Sequence, residues 1–371
     1  MKSCYFLFLC LFIGSCTTND THEVPDSDVP PNIILIVADD HGTADLSCLD
    51  LLDDVQTPHL DALAASGARF TEAYATSPIC SPSRMSLLTG VHHQRFGTYW
   101  YGGLGIHRPE YATIAELLKQ KEYTTGYIGK VHYGKNDRDT TNRNFPTNHG
   151  FDYFFGHTSA RKHYLHHDDA LETAFLDSKN QHERKGQSLR QGHLWRNRQP
   201  VDTTAFSTQL FGEEARQFIS RHQQTPFFLQ LSFNAVHNFT HQLPESYLKE
   251  KGLKGYRDWD PAVEEYYDWY QQGRLPNNPE GRAHYLGQLH YLDQEIGALT
   301  RHLETLGLSA NTMIIYIGDN GGSTPIYAMN QPLRGGKYML YQGGIRVPLL
   351  IAMPDRFEGN RVLDNRVSGL D

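Results

Sequence analysis

The sequence predicts an α/β fold with a mostly parallel central sheet sandwiched between helices. Three observations lead there. Strand-length runs recur at Asn32–Val37, Tyr123–Ile128, Phe227–Phe233 and Thr312–Ile317, the first of them continuously apolar in the pattern of a strand buried on both faces. Amphipathic helical stretches lie between them, as parallel connections require. Each run then stops at chemically capable polar residues, and in open α/β sheets such residues meet beyond the carboxyl ends of the strands.

The 371 residues suffice for one large α/β domain or two ordinary ones. With 39% hydrophobic and 12% aromatic residues the chain is globular. A formal net charge of −8 argues against a nucleic-acid partner, so an anionic substrate must be met by a locally basic pocket. The 21 Tyr and 20 His suit polar sites that stack on sugar rings.

Residues 1–16 read as a signal peptide. Lys2 gives a positive start, and Tyr5–Ile13 form an apolar run too short to span a membrane. Ile13-Gly14-Ser15-Cys16 resembles a bacterial lipobox, with Cys16 the lipidated residue. An exported protein follows, a bacterial periplasmic or cell-surface lipoprotein that meets the membrane only through its lipid; an ordinary cleaved signal peptide is the alternative. Residues 17–31 form a polar tether, and 32–371 the folded domain. Of five cysteines only Cys48 and Cys80 lie in the folded part, and Cys48 is expected to be an unpaired packing residue.

Along the chain, the first apolar run ends in Asp39-Asp40-His41-Gly42. Two adjacent carboxylates repel unless a cation sits between them, which predicts a metal site. Thr57–Gly67 carries the N-cap, proline and glycine stop of a helix. Alternation from Phe70 to Ala75 predicts a strand, followed by Pro78-Ile79-Cys80-Ser81-Pro82-Ser83-Arg84 and Leu88-Thr89-Gly90. Here Ser81 is expected to cap a helix with Pro82 in its first turn, leaving Cys80 where free N–H groups favour negative charge. Arg84, four residues on, is expected to face Cys80.

A helix over residues 112–121 precedes the second run, which ends in Gly129-Lys130-Val131-His132-Tyr133-Gly134; extended chain would put Lys130 and His132 on one side. Residues 157–200 lack periodicity and crowd His157, Arg161, Lys162, His163, His166 and His167 together. They read as a solvated loop or as an insert over the pocket carrying His163 to substrate, with a zinc site as a third reading. A helix over 208–222 leads to the third run, which presents His237 and, four residues on, His241 as a subsite residue. Residues 242–280 form an aromatic-rich irregular insert. A long helix from Ala283 to Leu306 buries Leu286, Leu289, Leu292, Ile296, Leu299 and Leu303. The fourth run ends in Asp319-Asn320, a carboxylate and an amide oxygen, both hard ligands. A last strand covers Val347–Met353.

Cys80-x-Pro82-x-Arg84 with Leu88-Thr89-Gly90 resembles the signature of the formylglycine-dependent sulfatases of the alkaline phosphatase superfamily. Gly129-Lys130-x-His132-x-Gly134, Leu333-Arg334-Gly335-Gly336-Lys337 and Gly343-Gly344-Ile345-Arg346-Val347-Pro348 fit the same family, with Gln342 departing from its usual glutamate. The resemblance implies that a maturation enzyme converts Cys80 to Cα-formylglycine (3-oxoalanine), whose hydrate attacks sulfur. It implies Ca²⁺, with Mg²⁺ the other hard cation, held by Asp39, Asp40, Asp319, Asn320 and modified Cys80, an oxygen-donor set that disfavours zinc. It also implies sulfate contacts from Arg84, Lys130, Lys337 and His237. By analogy His237 protonates the leaving alcohol, and His132 deprotonates the second hydroxyl to release sulfate. The substrate class is a sulfated carbohydrate. A phosphodiesterase or phosphonate hydrolase of the same superfamily is the rival enzyme, and a catalytically silent sulfoglycan-binding protein the non-enzymatic one. Family members continue past a segment like Val367–Asp371 with a smaller subdomain, so the sequence reads as cut short.

Overall fold

The computed structural model describes residues 29–134, 139–159, 164, 194–201, 203, 205–237, 241–255, 278–354 and 356–371. Its strands are β1 (Asn32–Ala38), β2 (Ala68–Tyr74), β3 (Thr124–Lys130), β4 (Tyr153–His157), β5 (Leu194–Arg196), β6 (Gln199–Val201), β7 (Phe227–Ser232), β8 (Thr312–Gly318), β9 (Leu349–Ala352) and β10 (Arg361–Ser368). They form one sheet in the order β10-β2-β9-β8-β1-β7-β3-β4-β5-β6. The central block β8-β1-β7-β3-β4 is parallel throughout. Antiparallel pairs flank it on both sides, through β9 at one side and β5 and β6 at the other.

Strand β1 shows why the apolar runs read as they do. Ile34, Ile36 and Ala38 enter one hydrophobic cluster and Leu35 and Val37 the other, so both faces of the strand are dry. One cluster is closed by α1 (Pro58–Ala65), α4 (Ser207–His222) and α6 (Gly281–Thr305). Leu289, Leu292, Ile296, Leu299 and Leu303 of α6 meet Phe211, Ala215, Phe218 and Ile219 of α4 there, while Leu286 is only half-buried at its edge. Losing such a side chain to alanine costs about 2–5 kcal/mol. The opposite face is covered by α2 (Cys80–Thr89) and α3 (Ile114–Lys119), through Met85, Leu88 and Ala115. The two short helices α5 (Glu245–Lys251) and α7 (Gln342–Ile345) complete the described set.

Several local expectations change. Ile79, not Ser81, is the N-cap of α2; the Ser81 hydroxyl instead donates to the Tyr133 carbonyl at 3.1 Å, anchoring the helix start to the loop after β3. The helix foreseen over 112–121 is shorter, opened by a capping box between Thr113 and Glu116. Strand β10, which pairs parallel to β2, was not foreseen, because its sequence RVLDNRVS is largely polar and exposed. Cys48 is a free thiol packed at the edge of the first cluster. Gln342 supports its own turn, its side chain accepting from Arg346 Nη1 at 3.3 Å. Among the described residues no helix is long and apolar enough to cross a membrane.

Candidate active site

Four neighbouring strands deliver the polar residues to one place. Lys130 is the last residue of β3, Asp39-Asp40 follow β1, Asp319-Asn320 follow β8, and His237 lies five residues beyond β7. Backbone ties past the strand ends fix their relative positions. Asp39 N–H donates to Ala235 O, Val236 N–H to Asp39 O and Asp319 N–H to Ala38 O, each at 2.9 Å. Helix α2 brings Cys80 and Arg84 down onto this surface, and the turn before α7 brings Lys337. Every one of these side chains is buried.

The buried charges interlock. Arg84 Nε donates to Asp319 Oδ2 at 2.7 Å and its Nη1 to the Lys130 carbonyl at 2.9 Å. Two acceptors on other strand ends thus hold this guanidinium. Its Nη2 lies 3.9 Å from Asp39 Oδ1 and has no hydrogen-bond partner. Lys130 Nζ donates to Asp39 Oδ2. Lys337 Nζ sits 2.6 and 2.7 Å from the two Asp40 oxygens. Asp40 also accepts from Asn320 Nδ2 at 2.8 Å, and its N–H donates to Asp319 Oδ1 at 3.2 Å. His237 Nε2 stands 3.7 Å from Asp40 Oδ2.

Electrostatics follow from burial set against these partners. Burial pushes Asp39 up, but Lys130, His237, Arg84 and Lys337 outweigh it and hold the carboxyl well below the usual range. Burial dominates at Asp40, which is raised despite Lys337. Burial likewise lifts Asp319 to about 6, against the pull of Arg84. Burial pushes the Cys80 thiol up, so it stays protonated and is a poor nucleophile as a plain cysteine. His132 is driven well below its ordinary value by burial and by Lys130 and Arg84, which keeps the ring neutral.

The period-two argument for Lys130 and His132 gives way to a turn. His132 has left the strand and adopts φ 57°, and Asp40 adopts φ 59°, left-handed conformations that cost non-glycine residues energy and cluster at functional sites. Its ring stacks on Tyr101 with centroids 5.4 Å apart and planes at 14°. The Tyr101 hydroxyl lies 3.6 Å from Cys80 Sγ. Tyr101 escaped the sequence reading because it sits in an irregular loop with no periodicity; only the dense Tyr99-Trp100-Tyr101 run marked it. His241 is buried edge-on to His284 of α6, with centroids 5.4 Å apart, and burial with that neighbour holds its pKa near 3. His163 lies outside the described residues.

A cation fits here by the chemistry of the donors. Ligand atoms of Asp39, Asp40 and Cys80 lie within 4.8 Å of one another. Asp39 Oδ1 and Asn320 Oδ1 are buried oxygens without a hydrogen-bond partner. Buried oxygens of this kind are rare unless something else satisfies them.

Comparison with known proteins agrees with this architecture. The family described as Sulfatase matches residues 31–371. Mouse (Mus musculus) Arylsulfatase J is 30% identical over 335 residues, 87% of this chain and 48% of that protein. The N-acetylgalactosamine-6-O-sulfatase of Bacteroides thetaiotaomicron is 27% identical over 398 residues, 89% of this chain and 69% of its own. The crystal structure of Ps i-CgsB in complex with k-i-k-neocarrahexaose superposes with a TM-score of 0.72 at 29% identity, covering 92% of this chain and 70% of that one. The chain thus spans about half the length of Arylsulfatase J and more of the other two. By sequence and by fold, the chain belongs to the sulfatase family.

Proposed function

We propose that the Cys80 pocket hydrolyses sulfate esters of a sulfated glycan. The observation that carries this is a buried set of three carboxylates and three side-chain cations around Cys80, at the carboxyl ends of four adjacent parallel strands. Asp39, Asp40 and Asp319 balance Arg84, Lys130 and Lys337 in formal charge. A divalent cation held by Asp39, Asp40, Asp319 and Asn320 would leave the pocket net positive, the condition for taking an anion from water. All-oxygen ligation suits Ca²⁺ or Mg²⁺, and Ca²⁺ is the ion proposed. When present it supplies positive charge opposite the ester oxygens.

Residue 80 is proposed to act as Cα-formylglycine, made by a maturation enzyme, and in that form it supplies a hydrated aldehyde as nucleophile. The raised thiol supports this over direct attack by sulfur. Arg84 Nη2, buried and without a hydrogen-bond partner, is aimed to donate to an anionic oxygen. Lys130 and Lys337 flank the same place and screen the charge developing there. Neutral His132, steadied by Tyr101, is the proton acceptor. His237 is the proton donor to the leaving alcohol. The glycan class is supported by relatives named for N-acetylgalactosamine 6-sulfate and crystallised with a neocarrahexaose. Export, lipidation at Cys16 and the division into residues 1–16, 17–31 and 32–371 complete the proposal.

Two measurements test it. The tryptic peptide Phe70–Arg84 must be lighter by the difference between a thiol and an aldehyde side chain. The intact protein must release sulfate from sulfated oligosaccharides faster than it cleaves an aryl phosphodiester. An unmodified peptide, or a preference for the phosphodiester, rejects the reading.

A further inference from the structure

The mouth of the pocket is as distinctive as its floor. Two segments border it, Tyr99–Leu104 and Tyr338–Tyr341, and neither contains a charged residue. They carry a run of exposed large hydrophobic side chains: Trp100 is 54% exposed and Tyr338 45%. Such a patch beside a buried ionic site marks a ligand surface more often than a folding accident.

The patch is built and not merely exposed. Trp100 and Tyr338 come from opposite segments, yet their ring centroids lie 5.7 Å apart with planes at 32°. Tyr101 joins them, edge-on to Trp100 at 5.7 Å and to Tyr338 at 6.4 Å, with its hydroxyl 3.3 Å from that of Tyr338. Tyr338 is held at φ 74°, a strained conformation for an aromatic residue, and its N–H donates to the Pro78 carbonyl two residues before Cys80. The same Tyr101 hydroxyl stands 3.6 Å from Cys80 Sγ. The rings therefore run without a break from solvent to the proposed reacting atom.

We propose that Trp100, Tyr101 and Tyr338 form a platform for the carbohydrate ring that carries the sulfate. This rests on the reading of the Cys80 pocket as a sulfate-ester site and names which residues take the rest of the substrate. The chemistry fits one occupant. A pyranose has apolar C–H faces and hydroxyl edges, matching flat rings whose polar tips are Tyr hydroxyls and an indole N–H. The neutral rim discriminates by shape and stacking, while the charged floor holds the anion. Tyr101 is a positioning residue: it sets the plane of His132 and carries the ring contact inward.

The test uses the full chain with Cys80→Ala, which binds without turnover, and two kinds of probe. One is a panel of sulfated galactan and glycosaminoglycan oligosaccharides; the other is inorganic sulfate, an anion with no ring. Calorimetric titration of Trp100→Ala and Tyr338→Ala in this background should show affinity for the best oligosaccharide lowered about tenfold, the scale of one lost aromatic contact. Affinity for inorganic sulfate should stay unchanged, and Trp100→Phe should retain most of the oligosaccharide affinity. Loss of sulfate affinity in step with oligosaccharide affinity would mean general damage to the pocket and would overturn the platform. Unchanged oligosaccharide affinity, or no binding by any member of the panel, overturns it too. Binding that depends on Trp100, in a wild-type protein that releases no sulfate from the same sugars, upholds the platform and rejects the ester-hydrolysis reading instead. Should Cys80→Ala fail to fold, the same variants with Cys80 retained must raise KM for the oligosaccharide about tenfold with kcat little changed.

Discussion

Arg84 and Asp319, 235 positions apart in sequence, meet at 2.7 Å with both side chains buried. The pair ties helix α2 to the end of strand β8, so the element bearing Cys80 and the proposed cation ligands are held as one body. A buried pair of this kind adds little net stability when intact, but removing one partner strands a charge in a dry interior.

Arg84→Ala should therefore destabilise the protein by about 3–5 kcal/mol, a large fraction of a typical domain's stability. Arg84→Lys should recover only part of this, because one ammonium cannot serve both Asp319 and the Lys130 carbonyl as the planar guanidinium does. Urea denaturation of the three proteins gives the answer. Equal midpoints would show that the pair contributes nothing.

Cation dependence is the second expectation. Chelation should abolish turnover, and added Ca²⁺ should restore it. Asn320→Leu removes a buried oxygen that has no protein partner, so cation affinity should fall while the fold survives. The same change leaves Asp40 without the 2.8 Å bond from Asn320 Nδ2, which costs about 1–3 kcal/mol. Elemental analysis with thermal denaturation, each with and without Ca²⁺, separates the two effects. Full turnover by protein verified as metal-free would refute the cation.

Cys80→Ser tests the nucleophile. Serine offers one hydroxyl where a hydrated aldehyde offers two on the same carbon, so repeated turnover should stop even if the pocket still binds sulfate esters. Rate loss should be at least three orders of magnitude, in line with removal of a nucleophile. Sustained turnover by a variant whose serine is shown to be unmodified would end the aldehyde reading.

Stability should also fall with pH in a window set by His149. Its ring is buried against Tyr133 and Phe151, with Nδ1 2.6 Å from the Arg143 carbonyl. Burial lowers its pKa from 6.5 to about 4. The unfolded chain then binds a proton that the folded chain refuses, so this contribution is complete above pH 6.5 and is lost as pH falls toward 4. The full span is about 3 kcal/mol. Urea midpoints at several pH values, compared between wild type and His149→Gln, should show a steeper acid slope in the wild type. Parallel slopes would exclude the assignment.

How far the sequence carried depends on the kind of signal. Asp39, Asp319 and Lys130 were legible because each stands at or just past the end of a strand-length run, and topology alone then brings them together. Lys337 was legible only through the family's glycine-rich pattern, since nothing in its periodicity points inward. The hydrogen-bond partners of Arg84 were not legible: helical spacing gave its face, but Asp319 and Lys130 lie on strand ends far away in the chain. His132 was singled out by a Lys-x-His spacing, in which its left-handed turn has no signature. Tyr101, marked only by its aromatic run, and Tyr338 were not singled out because loop aromatics obey no period. The polar strand β10 was missed because edge strands need no apolar run.

Strand β1 lies between β8 and β7, and its bonds reach residues 195 and 280 positions downstream. Synthesis at about 5–20 residues per second leaves Asn-Ile-Ile-Leu-Ile-Val-Ala without its outer neighbour for roughly ten seconds to a minute. During that interval an apolar strand waits with one edge unpaired. The geometry that makes a deep central strand thus leaves the newborn polypeptide with an unpaired apolar strand, and heterologous expression should be limited by aggregation before it is limited by the stability of the finished fold.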